Sequence, residues 1–214
     1  TRPPSSAASD VYKRQAYYVW LTKQFSSPIN IAIPSGNFGN AYSAWYGRDN
    51  GLSINEIFCA SNVNDVLTRF ISTGKLEPKE TIPSVAPSMD IQIPSSLERL
   101  IYNFEGDASS FYDQLQNEKI AKLSEESVVK LQNIFSSLSF NDEMILKEID
   151  LFYKNYGWVI DPHTATALSS SVSFSSTLPV VGVATASPEK FSDVISKITV
   201  SYTHLTLPTK VYVE

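Results

Sequence analysis

One cysteine, two histidines and no long apolar run are what this chain has least of, and each scarcity removes a class of protein. The single thiol, Cys59, cannot build a disulfide framework, which suits a cytoplasmic setting. It lies in the strand-like Glu56–Ala60, where a buried, inert thiol is expected. His163 has no cysteine or histidine near it in sequence, so no metal site is read and no catalytic triad is assembled by a local motif. The longest apolar stretches, around Ile29–Ile33 and Pro179–Ala184, are far shorter than the roughly 20 residues that cross a bilayer. No secretory or transit pattern is visible. Basic residues are outnumbered, 17 against 22 acidic, giving a net charge of −5 and a pI near 5.1. That balance argues against an extended nucleic-acid surface and for a small ligand.

What is present is the composition of an ordinary globular α/β protein, 43% hydrophobic and 12% aromatic over 214 residues. Both ends look foreign to it. Residues 1–15, TRPPSSAASDVYKRQ, are Pro/Ser-rich and basic without periodicity, and 201–214, SYTHLTLPTKVYVE, form a Thr-rich, β-like tail. Both read as translated adaptor or vector sequence and stay outside the fold reasoning. The chain starts at Thr1 and carries methionine only at 89 and 144, so residues 16–200 are expected to be an internal piece of a larger protein.

Within that piece, strands and helices alternate. Ala16–Gln24 ends a helix. Ile29–Ile33 is a strand with no apolar/polar alternation, as in a parallel sheet covered on both faces. A helix runs to about Asn50 and stops at Gly51; Glu56–Ala60 is a strand; Asn64 caps a helix over Asp65–Ser72 that ends at Gly74. After the polar stretch Thr81–Pro94 come helices from Ser96 to Phe104, Ser109–Asn117, Ser124–Ser136 and Asp142–Asn155. Successive helices without a strand suggest an excursion from the sheet. Asp161 then caps the helix Pro162–Phe174, Val180–Ala184 is a buried strand, and Ser187–Pro188 opens a last helix to about Ile198. The fold class expected is α/β, a mostly parallel sheet with flanking helices, whose ligands bind at the carboxyl ends of the strands.

The segment from Asn30 to Ala44, NIAIPSGNFGNAYSA, joins strand to helix through a glycine-flanked turn. Gly36 and Gly39 let backbone N–H groups approach a ligand, and the helix start adds unpaired N–H groups and the positive end of a dipole. One exposed helix terminus contributes only about 0.3–1 kcal/mol to an anion, so several donors must combine to hold a phosphate. The dinucleotide fingerprint G-x-G-x-x-G is absent, and no Gly-Lys-Ser/Thr follows as in a nucleoside triphosphate loop. A single phosphate ester on a compact cofactor remains, and pyridoxal phosphate is the leading case.

Five segments carry a family likeness: PSGNFGN at 34–40, ASNVNDVLTRF at 60–70, PSMDIQIPSSLERL at 87–100, DPHTATA at 161–167 and ATASPEKF at 184–191. In that order and spacing the chain resembles threonine synthase, a pyridoxal-phosphate enzyme of the tryptophan-synthase-β, or fold-type-II, structural type. The resemblance implies conversion of O-phospho-L-homoserine and water into L-threonine and phosphate. By it, Gly36, Asn37, Phe38, Gly39 and Asn40 cradle the cofactor phosphate, mostly through main-chain N–H groups, and Thr185 donates to the pyridine nitrogen. A neutral donor there leaves the ring a weaker electron sink than a carboxylate would. The family's Thr-Ala-His-Pro stands here as Thr185-Ala186-Ser187-Pro188, which removes any role of that histidine.

The Schiff-base lysine of the family precedes the glycine loop by a long stretch. None of Lys23, Lys75 or Lys79 stands in such a motif, so no catalytic residue is assigned and the piece is expected to carry half a cofactor site, inactive by itself. Asn64, Asp65 and Arg69 could face substrate, or simply make a cap and an intrahelical pair. Ser88 and Asp90 could bind, or make local turn bonds. A phospholyase of the same fold, releasing a keto acid, and a noncatalytic anion-binding relative are the alternatives.

Overall fold

The computed structural model describes residues 6–174 and 177–198. Its regular elements begin α1 (Ser6–Thr22), β1 (Ile29–Pro34), α2 (Gly39–Asp49), β2 (Ile54–Ser61), α3 (Val66–Thr73), β3 (Lys75–Leu76), α4 (Leu97–Glu105) and α5 (Ser109–Glu118). They continue β4 (Ala121–Lys122), α6 (Glu125–Gln132), β5 (Phe135–Ser139), α7 (Asp142–Tyr156), α8 (Pro162–Ser170), β6 (Val180–Gly182) and α9 (Ser192–Ile198).

The unbroken apolar run of β1 is explained by its place. All six of its residues are buried, because it pairs in parallel with β2 on one side and β6 on the other, and helices cover both of its faces. The sheet order is β5-β2-β1-β6, every pairing parallel. Side chains alternate between faces along a strand. Ile29, Ile31 and Ile33 therefore join Ile57 and Cys59 in a core with Trp45 of α2 and Phe70 of α3. Ala32, Phe58 and Ala60 point the other way, onto Ile145 and Ile149 of α7 and Ala165 and Ala167 of α8. Small residues on this second face let α8 lie close. A Cβ placed on Gly182 would come within 2.9 Å of Leu168 Cδ2.

Several expectations need correction. The helix read over 124–136 stops at Gln132, and β5 follows as the edge strand beside β2. Ser137 is held there by tertiary bonds, its Oγ donating to the Cys59 carbonyl at 2.5 Å and accepting from Thr68 Oγ1 at 2.8 Å. Strand pairing of this kind overrides a local helical pattern. The excursion is thus α4, α5 and α6, with the short antiparallel pair β3–β4 stapled beneath it. The helix opened by Pro162 ends at Ser170 in a 3-10 turn, and the last helix starts at Ser192 after a 3-10 turn at Pro188–Phe191. Neither Ser187 nor Asn64 makes a cap bond. α1 spans Ser6–Thr22, so position 15, where the adaptor-like stretch is expected to end, lies within a helix, which leaves that boundary untested. The tail expected at 201–214 lies outside the described residues. Among the described residues no helix is long and apolar enough to cross a membrane.

Candidate functional site

The site begins where β1 runs out of sheet. Ser35 still donates its N–H to the Ala60 carbonyl at 2.8 Å, and the chain then turns away at Gly36. A Cβ there would lie 2.9 Å from the Ser88 carbonyl oxygen and 3.0 Å from Met89 Cα, so only glycine allows the turn to press against that neighbouring backbone. Phe38 takes up the reversal with φ 65°, a left-handed conformation that costs a non-glycine residue about 1–2 kcal/mol. Its ring, 2% exposed, is anchored in the core against Phe135 at 5.3 Å between centroids. Strain fixed by packing in this way concentrates at ligand-binding loops.

α2 starts at the next residue, Gly39, and Phe38 offers no side-chain cap. The first N–H groups of a helix have no carbonyl partner within it, and among the described residues no side-chain cap is seen at this start. The rest of the loop is braced from outside. The Asn37 carbonyl accepts from Ser96 N–H at 3.0 Å and its Oδ1 accepts from the Ser95 hydroxyl at 3.3 Å. Asn40, 8% exposed, receives two tyrosine hydroxyls on Oδ1, Tyr18 at 2.7 Å and Tyr17 beside it.

The opposite wall is the 3-10 turn Pro87–Met89 and the start of α8. Ser88 donates its N–H to His163 Nε2 at 3.2 Å, which leaves the His163 proton on Nδ1, 2.9 Å from Asp161 Oδ1. Asp161 also caps α8, accepting from the N–H groups of His163 at 2.9 Å and Thr164 at 3.3 Å. Burial pushes the Asp161 carboxyl up, but the bonds from His163 and Thr164 outweigh it and hold its pKa below the usual value. His163 is 2% exposed and packs on Phe191 at 4.8 Å, so its role is to fix the Ser88 turn.

These walls enclose an open cleft of about 220 Å³ lined by Gly36 to Asn40, Ser88, His163 and Thr185. The loop after β1 and the loop after β6 therefore meet at the carboxyl ends of adjacent strands. All six residues expected to contact a cofactor line this one cleft. Thr185 is exposed and reaches it from beyond β6, whose pairing continues through Val183 N–H to the Ala32 carbonyl at 2.9 Å. The volume is below the roughly 300–1,000 Å³ of a complete small-molecule pocket and ample for a phosphate group.

Asn64, Asp65 and Arg69 are spent elsewhere. Arg69 Nε pairs with Asp65 at 2.9 Å and its Nη1 donates to the Glu77 carbonyl at 2.9 Å. Asn62 and Asn64 both donate to Asp90 Oδ1, at 2.7 and 3.0 Å, and Ser84 Oγ donates to the same oxygen at 2.7 Å, tying down the turn that carries Ser88. Cys59 has no exposed surface, and burial pushes its thiol up to about 12, as an inert thiol requires. Nothing in the sequence pointed to Arg14 at the cleft or to Tyr17 and Tyr18 behind Asn40, since their contact with residues 39 and 40 crosses more than twenty positions. Among the described residues no group of three or more His, Cys, Asp or Glu gathers as a metal site would need.

No family model matches the chain. Its sequence is 31% identical over 190 residues to threonine synthase of Pseudomonas aeruginosa, covering 85% of this chain and 40% of that protein. It is 35% identical over 196 residues to threonine synthase-like 1 of Macaca fascicularis, covering 86% of this chain and 26% of that protein. The structure is similar to PLP-bound threonine synthase from Brucella melitensis, with TM-score 0.84 at 28% identity over 88% of this chain and 42% of that one. The chain spans less than half the length of each of these relatives.

Proposed function

From a partial chain that is threonine synthase-like in sequence and of the fold-type-II pyridoxal-phosphate architecture, we propose that it is the C-terminal part of a carbon–oxygen lyase. The parent converts O-phospho-L-homoserine and water into L-threonine and phosphate in threonine biosynthesis, with pyridoxal 5'-phosphate as cofactor. The observation that carries this reading is the meeting of an uncapped helix start and the Thr185 loop in one cleft. The bound cofactor supplies the electron sink that carbanion chemistry at an amino acid needs.

This chain's residues bind and orient it. The N–H groups from Gly36 to Asn40 would hold the phosphate, which fits a cradle where the amides at the start of α2 have no side-chain cap and where Gly36 leaves no room for a Cβ. Thr185, lining the same cleft, would offer its hydroxyl to the ring nitrogen. Ser88, fixed through His163, faces the glycine loop across the cleft. The lysine that holds the cofactor aldehyde belongs to the part of the parent outside this chain, so 16–200 carries half of the site and is inactive by itself. Residues 1–15 and 201–214 are adaptor-like in this reading, so Arg14, although it lines the cleft, takes no role. The setting is the cytoplasm and the partner a small phosphorylated amino acid, with neither nucleic acid nor membrane involved.

The identity of 35% to a protein named threonine synthase-like, against 31% to a threonine synthase, keeps a second reading beside the first. It is a phospholyase that eliminates phosphate and releases a keto acid. The test is to recover the full-length gene, titrate the protein with pyridoxal phosphate by absorbance, and supply O-phospho-L-homoserine. Threonine with equimolar phosphate supports the synthase, and 2-oxobutyrate selects the phospholyase. An upstream segment without a cofactor lysine, or a protein that binds no cofactor, overturns both and leaves an anion-binding domain.

A further inference from the structure

We propose that Tyr17 and Tyr18 are positioning residues that set which end of the Asn40 side-chain amide faces the cleft. An asparagine amide presents an acceptor oxygen at one end and two N–H donors at the other, and nothing in its own shape favours either orientation. At Asn40 the oxygen end faces α1. Tyr18, with no exposed surface, points its hydroxyl at Oδ1 from 2.7 Å, and Tyr17 brings a second hydroxyl to the same oxygen. The two rings lie 4.5 Å apart between centroids, so the hydroxyls act as one clamp.

With both lone pairs of Oδ1 occupied, Nδ2 is the end left over. No hydrogen bond from it is seen among the described residues, and Asn40, 8% exposed, lines the cleft at the start of α2. The clamp therefore adds a fixed, neutral pair of donors to the main-chain N–H groups around an anion. Flipping the amide would put a carbonyl oxygen against that anion instead. The inference rests on the reading that the cleft takes a phosphate ester, and it adds the residues that make the cleft selective for one.

The test uses the full-length parent and two probes, pyridoxal 5'-phosphate and pyridoxal, which lacks the phosphate. Tyr17→Phe and Tyr18→Phe each remove one hydroxyl and keep the ring. The double variant should bind pyridoxal phosphate at least tenfold more weakly than wild type while its affinity for pyridoxal stays within twofold. In an Asn40→Leu background, where there is no amide to orient, the same two substitutions should change neither affinity by more than twofold. Loss of affinity for both probes alike, or an equal loss in the leucine background, would show a packing role and overturn the proposal. So would wild-type affinity in the double variant. Should Tyr18→Phe fail to fold, Tyr17→Phe by itself, on a partly exposed ring, must show the same phosphate-dependent loss at smaller size or the proposal falls. Wild-type protein that binds neither probe would overturn the reading of the cleft, and this inference with it.

Discussion

Two helices start within one cleft and solve the same problem in opposite ways. α8 is closed by its own sequence, with Asp161 accepting from two of its first N–H groups and Pro162 removing a third donor. α2 has no such cap, and its approach runs through a left-handed Phe38 instead. The capped start is a structural post that holds His163, and through it the Ser88 turn. The uncapped start keeps its donors for something from outside. A helix terminus is satisfied once, so a side chain in the capping position excludes a ligand and a glycine turn admits one.

The contrast is broken most severely at the loop itself. Gly36→Ala places a methyl 2.9 Å from a backbone oxygen, so the loop or the Pro87–Met89 turn must shift. Overpacking of this sort costs about 1–3 kcal/mol, and an ångström of displacement at a binding cradle costs on the order of a hundredfold. Titration of full-length protein with pyridoxal phosphate should show that loss, and wild-type affinity would remove the loop from the site.

At α8 the larger effect should be on stability. Asp161→Ala removes a cap worth about 1 kcal/mol and strands the His163 Nδ1–H, at a further cost of about 1–3 kcal/mol. The urea midpoint should fall accordingly, with cofactor affinity moving less than in Gly36→Ala. Because the Asp161 pKa is lower folded than unfolded, its contribution is present well above pH 3.8 and is lost as pH falls below that value through the folded pKa. Asp161→Asn should flatten that part of the stability–pH curve. An unchanged curve would mean that the carboxylate is not what closes this helix.

The smallest effect belongs to α3, whose start carries neither cap nor ligand. Asp65→Asn weakens an ion pair with Arg69 that is partly exposed at both ends, 37% and 21%. It should cost no more than about 0.5 kcal/mol and leave cofactor affinity unchanged. A marked loss of turnover would return Asp65 to the substrate side of the cleft.

Much of this architecture is legible in the residues. The run at 29–33, the glycines at 36 and 39 and the Asp-Pro at 161–162 are signals carried by neighbouring residues, so the central strand, the anion loop and the capped helix could be read before any contact was known. β5 could not. Its Phe-Ser-Ser-Leu-Ser carries no strong local preference, and it becomes a strand because β2 offers it an edge.

The sequence by itself determined where backbone amides would stand free, because glycine has no Cβ to keep a ligand off the backbone and proline has no N–H to donate. Only the tertiary structure decided what those amides face. Packing brought Tyr17 and Tyr18 to Asn40, His163 to Ser88 and Thr185 to the glycine loop, contacts between positions distant in sequence that are fixed by the burial of helices against a shared sheet.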